Sequence, residues 1–103
     1  MAQQIRIRCR LRDGVADVQI LMPHPMETGL RADESGALVP AHYITDVAVT
    51  LAERTVFAAR MSIAVSRDPL LAFRVRGVRA GQRLRVAWND SRGEARVDEA
   101  VIG

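Results

Sequence analysis

The sequence predicts an all-β protein built as a two-sheet β-sandwich. Three observations carry this prediction. Apolar and polar residues alternate along most of the chain, turn residues (Gly, Pro, Asn, Asp) separate the alternating segments, and no segment sustains a helical period. A chain of 103 residues has room for one modest core, so residues 1–103 are expected to form a single domain.

The first two strands are expected to form a tight hairpin. In "IRIRCRLR", residues 5–12, every second residue is apolar and the residues between are arginines. Asp13 and Gly14 follow, and this dipeptide favours a two-residue turn. A turn there pairs Cys9 with Val18 and Arg10 with Asp17. A slip of one residue would place the arginines in the core, so the register is well specified.

Five further strands are predicted from the same alternation. They occupy residues 43–51, 55–61, 70–77, 83–89 and 94–102. Residues 52–54 form a weak turn signal, because they lack a dipeptide such as Asn-Gly, and residues 89–93 form a strong one. About seven short strands with such turns indicate an immunoglobulin-like sandwich. Cys9 is the only cysteine, so the Cys–Trp–Cys pattern of true immunoglobulin domains is missing.

The composition is that of an ordinary globular domain, with 49% apolar and 26% charged residues. No apolar run approaches the roughly 18 residues of a membrane-spanning helix, so no membrane partner is expected. The first residues, "MAQQIRIRCRLRDG", lack the apolar core of a signal peptide. Taken alone, these features predict a cytoplasmic protein.

All fifteen basic residues are arginine, but twelve acidic residues reduce the net charge to +3. Nucleic-acid binding would require a basic surface with exposed aromatic side chains or a recognition helix. Aromatic residues make up only 4% of the chain, so no nucleic-acid partner is expected. The alternative is that the arginines of residues 6–12 form a surface that binds nucleic acid.

The long segment between the second and third strands is the most informative part of the sequence. Leu21–Ile44, "LMPHPMETGLRADESGALVPAHYI", contains both histidines of the chain and three prolines. Proline restricts the backbone, and a connection of this length in a compact domain is usually functional or disordered. We expect an ordered binding loop, held by buried apolar anchors at Leu30, Leu38 and Val39.

The residues of this long segment also raise two chemical alternatives, a copper site and a catalytic site. Imidazole and thioether groups both bind copper, so His24, Met26 and His42 could form a copper site. The alternative interpretation is that these residues pack and form hydrogen bonds, and no metal ligand is assigned. Carboxylates occur nearby, but no nucleophile motif or phosphate loop accompanies them, so no catalytic residue and no cofactor are predicted.

Cys9 is expected to be a buried, inert thiol. Its place in the alternation directs it inward, whereas a reactive thiol needs exposure and a lowered pKa.

Three stretches of the sequence resemble the SoxZ family. They are "MPHPMETG", "RADESGALVPAHYIT" and "VSRDPLLAFRVRG", and the resemblance extends from Ile5 to about Ala100. It implies a small immunoglobulin-like sandwich that pairs with a second subunit, SoxY. The SoxY subunit carries thiosulfate-derived sulfur on a cysteine near its own C-terminus and presents it to the enzymes of sulfur oxidation. The present chain ends in "VDEAVIG", without a cysteine, so it is expected to be the non-catalytic partner.

The resemblance also implies a location. Members of the family work in the bacterial periplasm and are exported with a partner that carries the signal, so the cytoplasmic expectation is revised to periplasmic. A disulfide between Cys9 and the partner remains open. The residues expected to bind the partner or to fix the loop are His24, Met26, Glu27, Thr28, Gly29, Arg31, Pro40 and His42.

Overall fold

The computed structural model describes residues 2–103 and contains seven strands over that range. No helix in this range is long and apolar enough to cross a membrane. The strands are β1 (Arg6–Arg12), β2 (Val15–Leu21), β3 (Ile44–Leu51), β4 (Arg54–Arg60), β5 (Leu70–Arg76), β6 (Arg83–Asp90) and β7 (Ala95–Val101).

The strands form two antiparallel sheets. One sheet has three strands in the order β1-β2-β5, and the other has four in the order β4-β3-β6-β7. Strands β2 and β3 are consecutive but belong to different sheets, so the segment that joins them crosses from one layer to the other. The predicted all-β, immunoglobulin-like sandwich is confirmed.

The first hairpin has the register that the alternation predicts. Cys9 lies opposite Val18, and Arg10 lies opposite Asp17. Asp13 and Gly14 both adopt positive φ values, 53° and 76°, as a tight two-residue turn between twisted strands requires.

The turn between β3 and β4 is tighter than the sequence indicates. It contains only Ala52 and Glu53, with φ values of 48° and 67°, so Arg54 already belongs to the strand. Neither residue favours this left-handed conformation. The strand register shifts between Val49 and Thr50, just before the turn. A β-bulge of this kind increases the local twist of the strands.

The core lies between the two sheets. Its centre is formed by alternate residues of β2, β3 and β6, and Trp88 is the largest fully buried side chain. Phe57 of β4 and Phe73 of β5 stack across the layers with ring centroids 5.3 Å apart. The buried apolar residues are Ile5, Ala16, Val18, Ile20, Met22, Met26, Ile44, Val47, Val49, Leu51, Val75, Val78, Leu84, Val86, Trp88 and Ile102.

The segment between β2 and β3 folds back on itself as a hairpin-like extension, here called the arm (residues 27–42). Antiparallel bridges join Glu27 to His42 and Ala32 to Leu38. Residues 30–38 are all exposed. The molecule measures 54 × 21 × 20 Å, whereas strands of seven or eight residues span only about 25 Å. This length is consistent with an arm that extends beyond the sandwich.

The structure corrects one expectation about this segment. Leu30 and Leu38 are 77% and 65% exposed, so they are not buried anchors, and Val39 is only partly buried. The arm is held by backbone pairing and by its tip. At the tip, a carboxylate oxygen of Asp33 accepts hydrogen bonds from the backbone N–H groups of Ser35 and Ala37. The order of the arm therefore does not depend on its leucines, and these remain exposed to solvent.

Candidate functional site

The base of the arm contains a cluster of two histidines around one carboxylate, here called the His–Asp–His cluster (His24, His42 and Asp90). The Nε2 atom of His24 lies 3.0 Å from Asp90 Oδ2, and the Nε2 atom of His42 lies 2.7 Å from the same oxygen. The side chain of Asp90 has no exposed surface, and that of His24 is 2% exposed. The side chain of His42 is 16% exposed, so the cluster is buried except at the edge of that ring.

The hydrogen bonds determine where the protons of His24 lie. The backbone N–H of Met26 donates to His24 Nδ1 over 3.0 Å, so Nδ1 carries no proton. The proton of the neutral ring is then on Nε2, which donates to the carboxylate. His42 also donates from Nε2, because an ionised carboxylate can only accept. Asp90 Oδ2 thus receives two hydrogen bonds, one from each end of the segment that carries the arm.

The second oxygen of Asp90 binds the next turn of the chain. Oδ1 accepts the backbone N–H groups of Arg92 and Glu94, over 3.0 and 2.9 Å. Burial alone would raise the pKa of Asp90. The hydrogen bonds from His24 and His42, and those from the backbone of Glu94 and Arg92, outweigh burial and hold the pKa below the ordinary value of 3.8. The carboxylate is consequently ionised at neutral pH.

Two pairs of hydrogen bonds fasten the segment that carries the arm to the sandwich on both sides of the cluster. His24 N–H donates to the carboxylate of Asp68, and Asp68 N–H donates to the carbonyl of His24. Tyr43 N–H donates to the hydroxyl of Ser91, and Ser91 N–H donates to the carbonyl of Tyr43. The entry to the arm is thus attached to the loop before β5, and its exit is attached to the β6–β7 turn.

Aromatic contacts complete the packing of the cluster. The ring of His24 meets the ring of His42 edge-on, with centroids 4.7 Å apart, and meets the indole of Trp88 in the same manner at 5.1 Å. The cluster therefore rests directly on the largest residue of the core. A movement at the base of the arm would disturb this packing.

The donor atoms of the cluster fit a metal ion poorly. One nitrogen from each histidine and one oxygen of Asp90 lie within 4.8 Å of one another, a spacing that could suit a cation. A histidine that binds a metal through Nε2 needs that nitrogen free of its proton and usually donates from Nδ1. In His24 the roles are reversed, since Nδ1 accepts a hydrogen bond and Nε2 carries the proton.

Met26 does not add to a metal site in this arrangement. Its side chain is buried, and its sulfur accepts the backbone N–H of Ile44 over 3.2 Å. Its backbone adopts a φ of 46°, which aims its N–H at His24. The geometry favours a structural role for His24, Met26 and His42 over the alternative of copper binding.

The other predicted residues lie along the arm. Glu27 exchanges both backbone hydrogen bonds with His42, and its carboxylate accepts hydrogen bonds from the guanidinium of Arg31. The hydroxyl of Thr28 accepts the N–H of Leu30. Gly29 has a φ of 86°, and a Cβ there would lie 3.2 Å from that of Ala41, so only glycine fits without strain. Pro40 is exposed.

Asp90 is a site residue that the sequence does not single out, because it lies within the turn signal of residues 89–93. A usable signal was present, because Leu84, Val86 and Trp88 alternate inward and the next inward position is residue 90. A carboxylate at a buried position must find hydrogen-bond donors, and the two histidines of the long segment supply them.

A family model described as "Sulphur oxidation protein SoxZ" matches residues 5–101. The chain belongs to the SoxZ family. A search of curated proteins found no match. Membership of the SoxZ family implies a role in sulfur oxidation, and the match includes the arm and all three residues of the His–Asp–His cluster.

The single thiol of this SoxZ-family chain is poorly placed for sulfur chemistry. Cys9 lies opposite Val18 on the inward face of β1 and is partly buried. Burial raises the pKa of the Cys9 thiol, so the fraction present as the reactive thiolate at neutral pH falls. Its packing against the core confirms the inward position predicted for Cys9, but the thiol is only partly buried and not fully buried as expected.

Replacing Asp90 with asparagine should destabilise the fold near neutral pH. The amide can turn its oxygen toward only one pair of donors, so its NH₂ group faces either the two histidine N–H groups or the two backbone N–H groups. Leaving buried donors unsatisfied costs about 1–3 kcal/mol each, so we expect a loss of about 2–4 kcal/mol. Urea unfolding of Asp90→Asn and of the unaltered chain measures this loss.

The effect of Asp90→Asn should also depend on pH. Because the pKa of Asp90 is lowered by folding, its contribution is complete above the ordinary carboxyl pKa and is lost as the pH falls through the folded value. The stability difference between the two chains should therefore be complete above pH 3.8 and should shrink as the pH falls below that value. Asp46→Asn, at an exposed carboxylate 3.8 Å from Arg60, is the control and should change stability by less than about 0.5 kcal/mol. Equal stability of Asp90→Asn and the unaltered chain at neutral pH would contradict the assigned role.

Cys9 should react slowly with an alkylating agent while the chain is folded. Partial burial and a raised pKa both reduce the accessible thiolate. We expect iodoacetamide to modify the native chain at least about tenfold more slowly than the same chain unfolded in urea. Mass spectrometry over time measures both rates, and equal rates would show that the thiol faces solvent.

Proposed function

We propose that the chain is the non-catalytic subunit of a sulfur carrier complex. In this proposal it pairs with a SoxY-like subunit, whose cysteine near the C-terminus carries thiosulfate-derived sulfur covalently. The present chain supports that subunit and helps to present it to the enzymes of sulfur oxidation, with which it makes transient contacts. A periplasmic location, reached by export with the signal-bearing partner, is part of the same proposal and derives from the family resemblance.

The observation that carries this proposal is the architecture of the arm. An ordered extension that exposes two leucines at its surface is unfavourable for an isolated chain, since apolar area remains in contact with water. Burying a leucine side chain contributes about 1.5–3 kcal/mol. A partner that covers Leu30 and Leu38 would therefore gain affinity without having to order the arm first.

The His–Asp–His cluster supports this interpretation through preorganisation. The cluster fixes both ends of the segment that carries the arm. A stable protein interface typically buries about 800 Å² on each partner, which is more than two leucines provide. We therefore place Leu30 and Leu38 at the apolar part of a larger contact, with charged arm residues such as Glu27 and Arg31 nearer its rim.

The chain's own residues favour the scaffold role over the carrier role. A carrier that visits several enzymes needs an accessible thiol on a mobile segment. Cys9 lies within strand β1, which pairs with β2, and its side chain packs against the core. We therefore assign sulfur carriage to the partner.

Charge introduced on the arm should weaken the complex. The double variant Leu30→Glu/Leu38→Glu places two carboxylates in the proposed interface. Loss of about 1.5 kcal/mol at each site corresponds to an affinity about 100-fold lower. Isothermal titration of the purified chain with a SoxY-like partner measures the Kd.

The matched control is Ile63→Glu, in the loop between β4 and β5, where the side chain is 42% exposed. It should change the Kd by less than about threefold, and thermal unfolding should show that all variants remain folded. Unchanged affinity of the double arm variant would remove the arm from the interface. Absence of any complex with the unaltered chain would refute the pairing itself.

A further inference from the structure

The outer surface of the three-stranded sheet carries a concentrated positive charge. Six arginines and one aspartate point outward there, which gives a local charge of +5, compared with +3 for the whole chain. The proposed pairing does not explain this surface, here called the arginine face. Its charged residues are Arg6, Arg8, Arg10, Arg12, Asp17, Arg74 and Arg76.

The strand register turns this face into a trough. Strand β2 lies between β1 and β5, so its outward residues form a floor with arginines along the whole β1 side and at one end of the β5 side. At the other end of the β5 side, Leu70 and Ala72 face outward. Asp17 lies opposite Arg10 on one side and Arg74 on the other. The space above this floor has a volume of about 700 Å³, and its outward-facing lining includes Arg8, Arg10, Asp17, Gln19, Ala72 and Arg74.

Most of these arginines have no acidic neighbour. Arg74 is paired with Asp17, with Nε 2.7 Å from Oδ1. Within residues 2–103, none of the other five arginines of the face lies within ion-pair distance of a carboxylate. Like charges that share one face repel each other, and an anionic ligand would relieve this repulsion.

We propose that the arginine face docks an extended acidic segment of a partner protein. Alternate residues along β1 lie about 6.6–6.8 Å apart, and alternate side chains of an extended segment have the same spacing. The arginines of β1 and those of β5 are separated by two strand spacings, about 9.6 Å, which leaves room for one extended chain above β2. Guanidinium groups bind carboxylates through two parallel hydrogen bonds.

The face favours a polypeptide over a single-stranded nucleic acid. Proteins that bind single strands combine positive charge with exposed aromatic rings on which bases stack. The arginine face contains no aromatic residue. Phe57 and Phe73 stack between the sheets, and Trp88 is buried in the core. Carboxylates on a peptide therefore match this surface better than bases and phosphates do.

This inference goes beyond the proposed function, because it assigns a second face and a different chemistry to a protein contact. The arm offers exposed leucines, whereas the arginine face offers positive charge. A failure of one contact would leave the other in place, and the variants that test them do not overlap.

Fluorescence polarisation of the full chain with a labelled peptide tests the proposal. The probe is a peptide of about ten residues in which glutamate and serine alternate. We expect saturable binding at low salt that weakens as salt is added. The variant Arg8→Glu/Arg10→Glu, which places two carboxylates in the trough, should bind the peptide at least about tenfold more weakly.

The control variant is Arg54→Glu/Arg79→Glu. It changes the net charge by the same amount at exposed arginines outside the face and should bind the peptide within about twofold of the unaltered chain. The variant Arg8→Gln/Arg10→Gln removes the same two positive charges from the trough with a smaller disturbance of β1, and it should also bind the peptide more weakly than the unaltered chain. Circular dichroism verifies that each variant is folded.

Three results would overturn the proposal. One is the absence of peptide binding even at low salt. Another is an equal loss of binding in the trough variant and the control variant, which would indicate attraction to net charge alone. The third is tighter binding of an oligothymidine with the same number of charges, which would make nucleic acid the ligand of this face.

Discussion

The carboxylate of Asp90 is the contact on which the arrangement of the arm depends. One of its oxygens accepts hydrogen bonds from His24 and His42, and the other accepts backbone N–H groups of Arg92 and Glu94. Four donors from three parts of the chain therefore meet at one buried group. Such a network is stable only when every member is satisfied, so the base of the arm has one favoured geometry.

The two surfaces of the molecule follow from different features of the same fold. The arm emerges where the chain crosses from the three-stranded to the four-stranded sheet, and the His–Asp–His cluster fixes it there. The arginine face results from alternation, because the apolar residues of β1 fill the core and the residues between them must face solvent. The arginine face lies on paired strands, and the arm is held by backbone bridges and the His–Asp–His cluster, so neither needs a large rearrangement before it meets a partner.

The sequence predicted the sandwich and the first hairpin because burial on one face of a strand fixes the register. It did not predict the partner of the histidines. Asp90 lies 66 residues from His24 and 48 from His42, and its neighbours in sequence form a turn signal that concealed its inward position. The exposure of Leu30 and Leu38 was also missed, because apolar residues are often, but not always, buried within their own chain.

We propose that this chain supports a sulfur carrier and does not carry sulfur itself. The most direct test is to co-express it with a SoxY-like partner, load the complex through the thiosulfate-coupling enzymes, and measure the intact mass of each subunit. We expect a sulfur adduct on the partner alone, with the present chain unmodified in the same complex. An adduct on the present chain, whose only thiol is Cys9, would show that this chain itself carries sulfur.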